Sequence, residues 1–212
     1  MSEKQGNKII ITAAITGSIH TPTMSPYLPI KPTEIADEAV RAWEAGASVA
    51  HIHVRDSDTG KPTSSLDLFR EVLSEIKARC DIVICVTTGG SPSMTVKEFK
   101  YEWEETFLSM TENNIFPNTF KTLSEFCEIY RANGTKPELE IYDVGMINNA
   151  AHMLMQGHLA PPVYIQFVLG ILGGIPATLE NLMFMYKTAR QALGEFTWSV
   201  CAAQRPNYLQ RQ

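Results

Sequence analysis

Six short apolar runs, separated by longer segments with helical periodicity, constrain the fold of this 212-residue chain most strongly. The runs are rich in Val and Ile and nearly continuous, which is typical of strands covered on both faces of a parallel sheet. Alternating β and α segments of this kind predict an α/β fold, and no linker or repeat divides residues 1–212 into more than one domain. The runs span residues 8–15, 48–54, 81–88, 138–144, 163–170 and 196–203.

One stretch breaks the alternation. Between residues 88 and 138 the sequence predicts two helices, over roughly 96–110 and 119–133, with no convincing strand between them. A regular array of βα units requires a strand at that point.

Composition excludes several classes of function. Apolar residues make up 44% of the chain and charged residues 19%, as in soluble globular proteins. The net charge of −5 and the absence of a Lys/Arg block argue against binding to nucleic acid or an anionic membrane. No apolar run approaches the roughly 20 residues of a membrane span, and the polar start has no signal-peptide core. Four cysteines without CxxC spacing predict reduced thiols in a cytoplasmic protein.

The second apolar run contains two histidines one residue apart, His51 and His53. Residues two apart on a strand project to the same face, so both imidazoles can bind one divalent metal, with Zn²⁺ the first choice. The alternative is that both are hydrogen-bonded polar groups in the interior. Two ligands do not complete a catalytic zinc site, which normally has three protein ligands and an open position.

Polar residues at the end of one further strand and in the middle of another are candidates for contacts with a substrate. The third run ends in Thr87 and Thr88, and Gly89 and Gly90 follow it, so hydroxyl and backbone N–H groups could approach a carboxylate or phosphate there. A tight βα turn would use the same residues. Glu140, within the fourth run, is the best candidate for an inward carboxylate, as a general base, a substrate ligand or a metal ligand.

Long motifs resemble one enzyme family over nearly the whole chain. HIHVRD, TTGGSPSMT, ELEIYDVG, QFVLGILGGIPA and WSVCAAQR occur here in the order found in the β-keto acid cleavage enzymes, relatives of 3-keto-5-aminohexanoate cleavage enzyme. The resemblance implies a (β/α)8 TIM barrel that binds one zinc ion. It also implies conversion of a β-keto acid and acetyl-CoA to acetoacetate and a new CoA thioester.

The resemblance also assigns roles to residues. His51 and His53 resemble the zinc-binding histidines, Thr87 and Gly90 the residues that hold the substrate carboxylate, and Glu140 an active-site glutamate. Ile19 stands where the amino-substrate member has a glutamate for the substrate amine. An apolar residue at this position predicts a neutral or anionic β-keto substrate.

Departures from the family pattern leave alternatives open. Two strands of the family pattern have no counterpart in this sequence, so about six of eight βα units are expected here. One is the strand missing between residues 88 and 138. The other is the family's last strand, which supplies the third zinc ligand and an Arg–Asp pair. The chain could therefore be an inactive deletion product or a non-catalytic subunit of an oligomer. Open strand edges predict a homo-oligomer. A metal-dependent barrel hydrolase fits less well, because it requires further histidines at later strand ends.

Overall fold

The computed structural model describes residues 9–18, 20, 22, 25–87, 118–171 and 173–202. These residues belong to two compact units, one within Met1–Val96 and the other within Lys97–Gln212. Each unit contains a three-stranded sheet whose neighbouring strands all run parallel. Strands and helices alternate within each unit, which confirms the predicted α/β class.

The first unit is built around a sheet in the order β1-β2-β5, with a short antiparallel β3–β4 hairpin. Its core consists of apolar residues from the helices and the central strand, including Ile35, Val72, Ile76, Ala50 and Ile52, all fully buried. The elements are β1 Thr12–Ala14, α1 Pro32–Glu44, β2 Val49–Ile52, β3 Val54–Arg55, β4 Pro62–Thr63, α2 Leu66–Arg79 and β5 Val83–Val86.

The second unit has the sheet order β6-β7-β8, with β7 in the centre. Ile165 and Phe167 of the central strand are fully buried against Ile147 and Met185 from the flanking helices. The elements are α3 Phe120–Ala132, β6 Glu138–Ile141, α4 Val144–Met155, β7 Val163–Leu169, α5 Leu179–Leu193 and β8 Phe196–Ala202.

All six predicted strands are present, but the sequence did not indicate the hairpin that follows β2. Arg55 pairs with Pro62 and Val54 with Thr63, so the loop between these strands turns back on itself. The Oδ1 atom of Asp56 accepts hydrogen bonds from the backbone N–H and the hydroxyl of Thr59, both at 2.7 Å. This Asx-type turn is local and short, and the apolar periodicity that predicted the longer strands carries no signal for it.

None of the helices in residues 9–87 and 118–202 has the length and apolar character of a membrane span. The helix predicted over residues 96–110 lies outside the described residues, as do residues 111–117 between the two predicted helices.

Candidate active site and the histidine pair

The imidazoles of His51 and His53 meet at the end of β2. Their Nε2 atoms are 3.1 Å apart, and their rings are close to edge-on, with centroids 5.0 Å apart. His53 is buried, with 8% of its surface exposed, and His51 is half-buried. The two ring nitrogens therefore point at one location, as expected for residues two apart on one strand.

This arrangement fits two ligands of a zinc ion. Zn–N bonds of 2.0–2.1 Å in tetrahedral geometry place two ligand nitrogens about 3.3 Å apart, close to the observed separation. Among the described residues, no group of three or more His, Cys, Asp or Glu side chains could hold a metal ion. A tetrahedral site would need two further ligands besides this pair.

The surroundings keep His53 uncharged at neutral pH. Burial, with smaller contributions from His51 and the positive charge of Arg55, lowers the pKa of His53 from 6.5 to about 4. A histidine binds a metal only through a neutral ring with an available lone pair. His53 is thus in the protonation state that a ligand needs.

Arg55 is the largest fully buried side chain of the first unit, with 1% of its surface exposed. Its guanidinium group donates to the carbonyls of Gly60 and Gly17, both at 2.8 Å, and of Thr16 at 3.3 Å. Desolvation lowers its pKa. Within the described residues its Nε atom has no hydrogen-bond partner, and no ion pair joins the side chain to a carboxylate.

Arg55 thereby links two loops beside the histidines. Thr16 and Gly17 follow β1, whereas Gly60 lies in the β3–β4 hairpin. The hydroxyl of Thr16 also donates to the carbonyl of His53 at 3.1 Å, and this bond is buried. The segment after β1 is consequently held against the strand that carries the histidine pair.

Of the predicted substrate-binding residues, Thr87 is placed next to this strand. Its backbone N–H donates to the carbonyl of Ile52 at 3.4 Å, which continues the parallel pairing of β2 with β5. The predictions for Thr88, Gly89, Gly90 and Ile19 fall outside the described residues.

Glu140 lies in the second unit, on the polar face of its sheet. The Tyr142 hydroxyl donates to Oε2 of Glu140 at 2.6 Å. Burial, followed by the charge of Glu140 and this hydrogen bond, raises the pKa of Tyr142, so the phenol remains a donor. Glu140 is in register with Gln166 on β7, whose amide donates to Ser199 on β8 at 3.3 Å. A row of polar side chains thus crosses the three strands.

Sequence reasoning missed two contributors to the histidine site. Cys85 stands inside the third apolar run, which indicates no more than a buried thiol, yet its Sγ lies 3.4 Å from Nδ1 of His51. Arg55 directly follows the second apolar run, a position that in the sequence marks only the end of the strand. A strand alignment that placed His51 opposite Cys85 would have indicated the first contact, whereas no local pattern indicates the loop carbonyls that Arg55 binds.

A sequence model of the beta-keto acid cleavage enzyme family matches residues 8–209. The chain is 40% identical to 3,5-dioxohexanoate:acetyl-CoA acetone transferase from Paraburkholderia graminis, over 93% of this chain and 75% of that protein. It is 38% identical to 3-keto-5-aminohexanoate cleavage enzyme from Acetoanaerobium sticklandii, over 84% of this chain and 68% of that protein.

Solved structures of ObcA share the fold. The apo structure of ObcA superposes on this chain with a TM-score of 0.63 at 18% sequence identity. The superposition covers 83% of this chain and 50% of ObcA. A ternary complex of ObcA with a C4-CoA adduct and oxalate gives a TM-score of 0.59 at 17% identity. The chain spans about half the length of these structures. Together with the family match, this likeness confirms the predicted TIM-barrel type, with part of the βα units present.

Proposed function

The chain belongs to the beta-keto acid cleavage enzyme family, and on this premise we propose that it transfers an acyl group between a β-keto acid and acetyl-CoA. The products are acetoacetate and a new CoA thioester. The two relatives described above are named for an acetyl-CoA-dependent transfer and for cleavage of a keto acid, which supports this reaction class. The observation that carries the proposal is the convergence of the His51 and His53 Nε2 atoms at the end of a parallel strand.

His51 and His53 are proposed to hold a zinc ion. When bound, zinc supplies a Lewis acid that polarises a substrate oxygen. The low pKa of His53 keeps its lone pair available at neutral pH. Arg55 and Thr16 hold the adjoining backbone, so the strand end that carries the two histidines is fixed before substrate arrives.

Glu140 is proposed as an active-site carboxylate. The hydrogen bond from Tyr142 fixes one of its oxygens and leaves the other able to accept a proton or a substrate hydrogen bond. The proposed contacts to the substrate carboxylate come from Thr87, Thr88, Gly89 and Gly90. The family match spans both units, which supports the prediction that they belong to one domain.

A neutral or anionic β-keto substrate is proposed from Ile19. The relative named for a 3,5-dioxo acid acts on a compound with a second carbonyl, whereas the other is named for an amino acid. An apolar side chain offers no partner for an ammonium group, and desolvating an unpaired charge is unfavourable. We therefore expect 3,5-dioxohexanoate to be used in preference to 3-keto-5-aminohexanoate.

A second candidate is a non-catalytic member of the family. The described residues supply two converging metal ligands rather than three, which favours this candidate. It retains a weak two-histidine site and produces no acetoacetate.

One experiment separates the candidates. Zinc affinity and acetoacetate formation from 3,5-dioxohexanoate plus acetyl-CoA are measured for the wild-type chain, for His51→Gln and for His152→Gln. His152, whose ring packs on Phe120 in the second unit, is the matched control for loss of any histidine.

The catalytic proposal predicts stoichiometric zinc and turnover, both lost in His51→Gln and retained in His152→Gln. Turnover that persists in His51→Gln contradicts the assigned role of the pair. Weak zinc binding without turnover in the wild-type chain supports the non-catalytic candidate.

The proposal also includes a homo-oligomeric, cytoplasmic protein. None of the four cysteines forms a disulfide, which agrees with a reducing compartment. Val83 on β5 and Trp198 on β8, the last strands of their sheets in the described residues, are 59% and 42% exposed. Subunit association would cover such surface.

A further inference from the structure

The thiol of Cys85 contacts the nitrogen of His51 that faces away from His53. Its Sγ is 3.4 Å from Nδ1 of His51, whereas Nε2 of the same ring is 3.1 Å from Nε2 of His53. One ring of His51 therefore has a sulfur at one nitrogen and the candidate metal position at the other.

Strand pairing fixes this contact. His51 on β2 and Cys85 on β5 are partners in a continuous parallel register from Val49↔Val83 to Ile52↔Val86. Both side chains are half-buried. The sulfur is held at this distance by two backbones rather than by a flexible side chain.

Whether Nδ1 of His51 or the Cys85 thiol is the donor in this contact determines whether His51 can bind a metal through Nε2. A neutral imidazole carries one proton, on Nδ1 or on Nε2. If Nδ1–H donates to the sulfur, Nε2 carries the lone pair, which is directed toward Nε2 of His53. If the thiol donates to Nδ1, the proton occupies Nε2 and blocks metal binding.

We propose that Cys85 is the positioning residue of His51, accepting a hydrogen bond from Nδ1–H and so holding the tautomer and ring orientation in which Nε2 binds zinc. The inference rests on the proposed zinc site and assigns Cys85 no contact with the metal. Histidine ligands generally donate their second N–H to an outer partner, and loss of such a partner weakens metal affinity by roughly 10–100-fold. Here the outer partner is a thiol rather than the usual carboxylate or carbonyl.

The test compares Cys85→Val with Cys85→Ser. Valine is close in size to cysteine but accepts no hydrogen bond, whereas the serine hydroxyl restores an acceptor. Cys127→Val is the matched control, since Cys127 is a half-buried thiol in the second unit. Zinc affinity is measured by competition with a chromophoric chelator. The His51 tautomer is measured in the metal-free protein by ¹⁵N NMR of the imidazole nitrogens.

Zinc binding should weaken at least 10-fold in Cys85→Val, remain within about 3-fold of wild type in Cys85→Ser, and not change in Cys127→Val. The metal-free wild-type protein should show the proton of His51 on Nδ1, and Cys85→Val should shift it toward Nε2. The inference is overturned if Cys85→Val keeps the wild-type tautomer. Should the wild-type chain bind no zinc, the proposed metal site fails, while the tautomer measurement still decides the role of Cys85.

Discussion

Replacement of Arg55 tests how a buried cation contributes to the first unit. The wild-type guanidinium makes three hydrogen bonds to carbonyls on two loops and is almost fully buried. At about 1.5 kcal/mol for each bond from a charged donor, the three contribute about 4–5 kcal/mol. Burial of the charge opposes this, because removing an ion from water costs several kcal/mol.

Arg55→Met and Arg55→Lys separate these two contributions. Methionine removes the bonds and the cost of burying a charge, so we expect a net loss of about 2 kcal/mol in the free energy of unfolding. Lysine keeps a buried charge, but its single ammonium group cannot bridge carbonyls on two loops, so the expected loss is larger, about 3–4 kcal/mol.

Urea unfolding followed by far-UV circular dichroism measures these changes. Arg70→Met is the control, because the contact of Arg70 in the described residues is an exposed ion pair with Asp67, and its replacement should have no measurable effect. A lysine variant as stable as wild type would refute the reasoning, since charge alone would then suffice. A methionine variant equal to wild type would show that the three bonds give no net stability.

Three further predictions follow from the site and its supports. In the metal-free protein the free energy of unfolding should fall by up to about 3 kcal/mol between pH 6.5 and pH 4. The pKa of His53 is lowered in the folded state, so in this pH range only the unfolded chain binds a proton at this residue. Urea unfolding at several pH values should show this decrease, and the decrease should be smaller in His53→Gln. Asp143→Ala should lower the free energy of unfolding by about 1 kcal/mol in thermal unfolding, because the Asp143 carboxylate caps α4 by accepting from the N–H of Met146 at 3.1 Å. Asp143→Asn, which keeps an acceptor oxygen, should recover most of the lost stability. Ile19→Glu should raise kcat/KM for 3-keto-5-aminohexanoate relative to 3,5-dioxohexanoate by about tenfold in steady-state assays, since a carboxylate can pair with the substrate amine. An unchanged ratio would show that residue 19 does not select the substrate.

Local sequence patterns predicted the strands and helices well. After Pro32, helical periodicity places Ala36, Ala39, Val40 and Trp43 on one apolar stripe. Pro32 begins α1 and the first three residues of the stripe are buried, but Trp43 is 42% exposed. A helix presents a stripe to whichever neighbour lies beside it, and periodicity does not determine how far along the helix that neighbour extends. Ser64 and Asp67 have the spacing of a capping box in the sequence, yet the N-cap of α2 is Ser65, one residue later. Several polar residues in succession can each cap a helix, so the local pattern does not fix which one does.

By itself, the sequence determined where the six strands of the two parallel sheets lie, that His51 and His53 share a face, and which family the chain resembles. These follow from periodicities within a few residues of chain and from motifs that can be read directly. Only the tertiary structure decided that Cys85 lies against His51 and that Arg55 binds carbonyls of two loops. Contacts across 34 or 38 residues depend on strand register and loop path, which are set by hydrogen-bond pairing and core packing between elements distant in the chain.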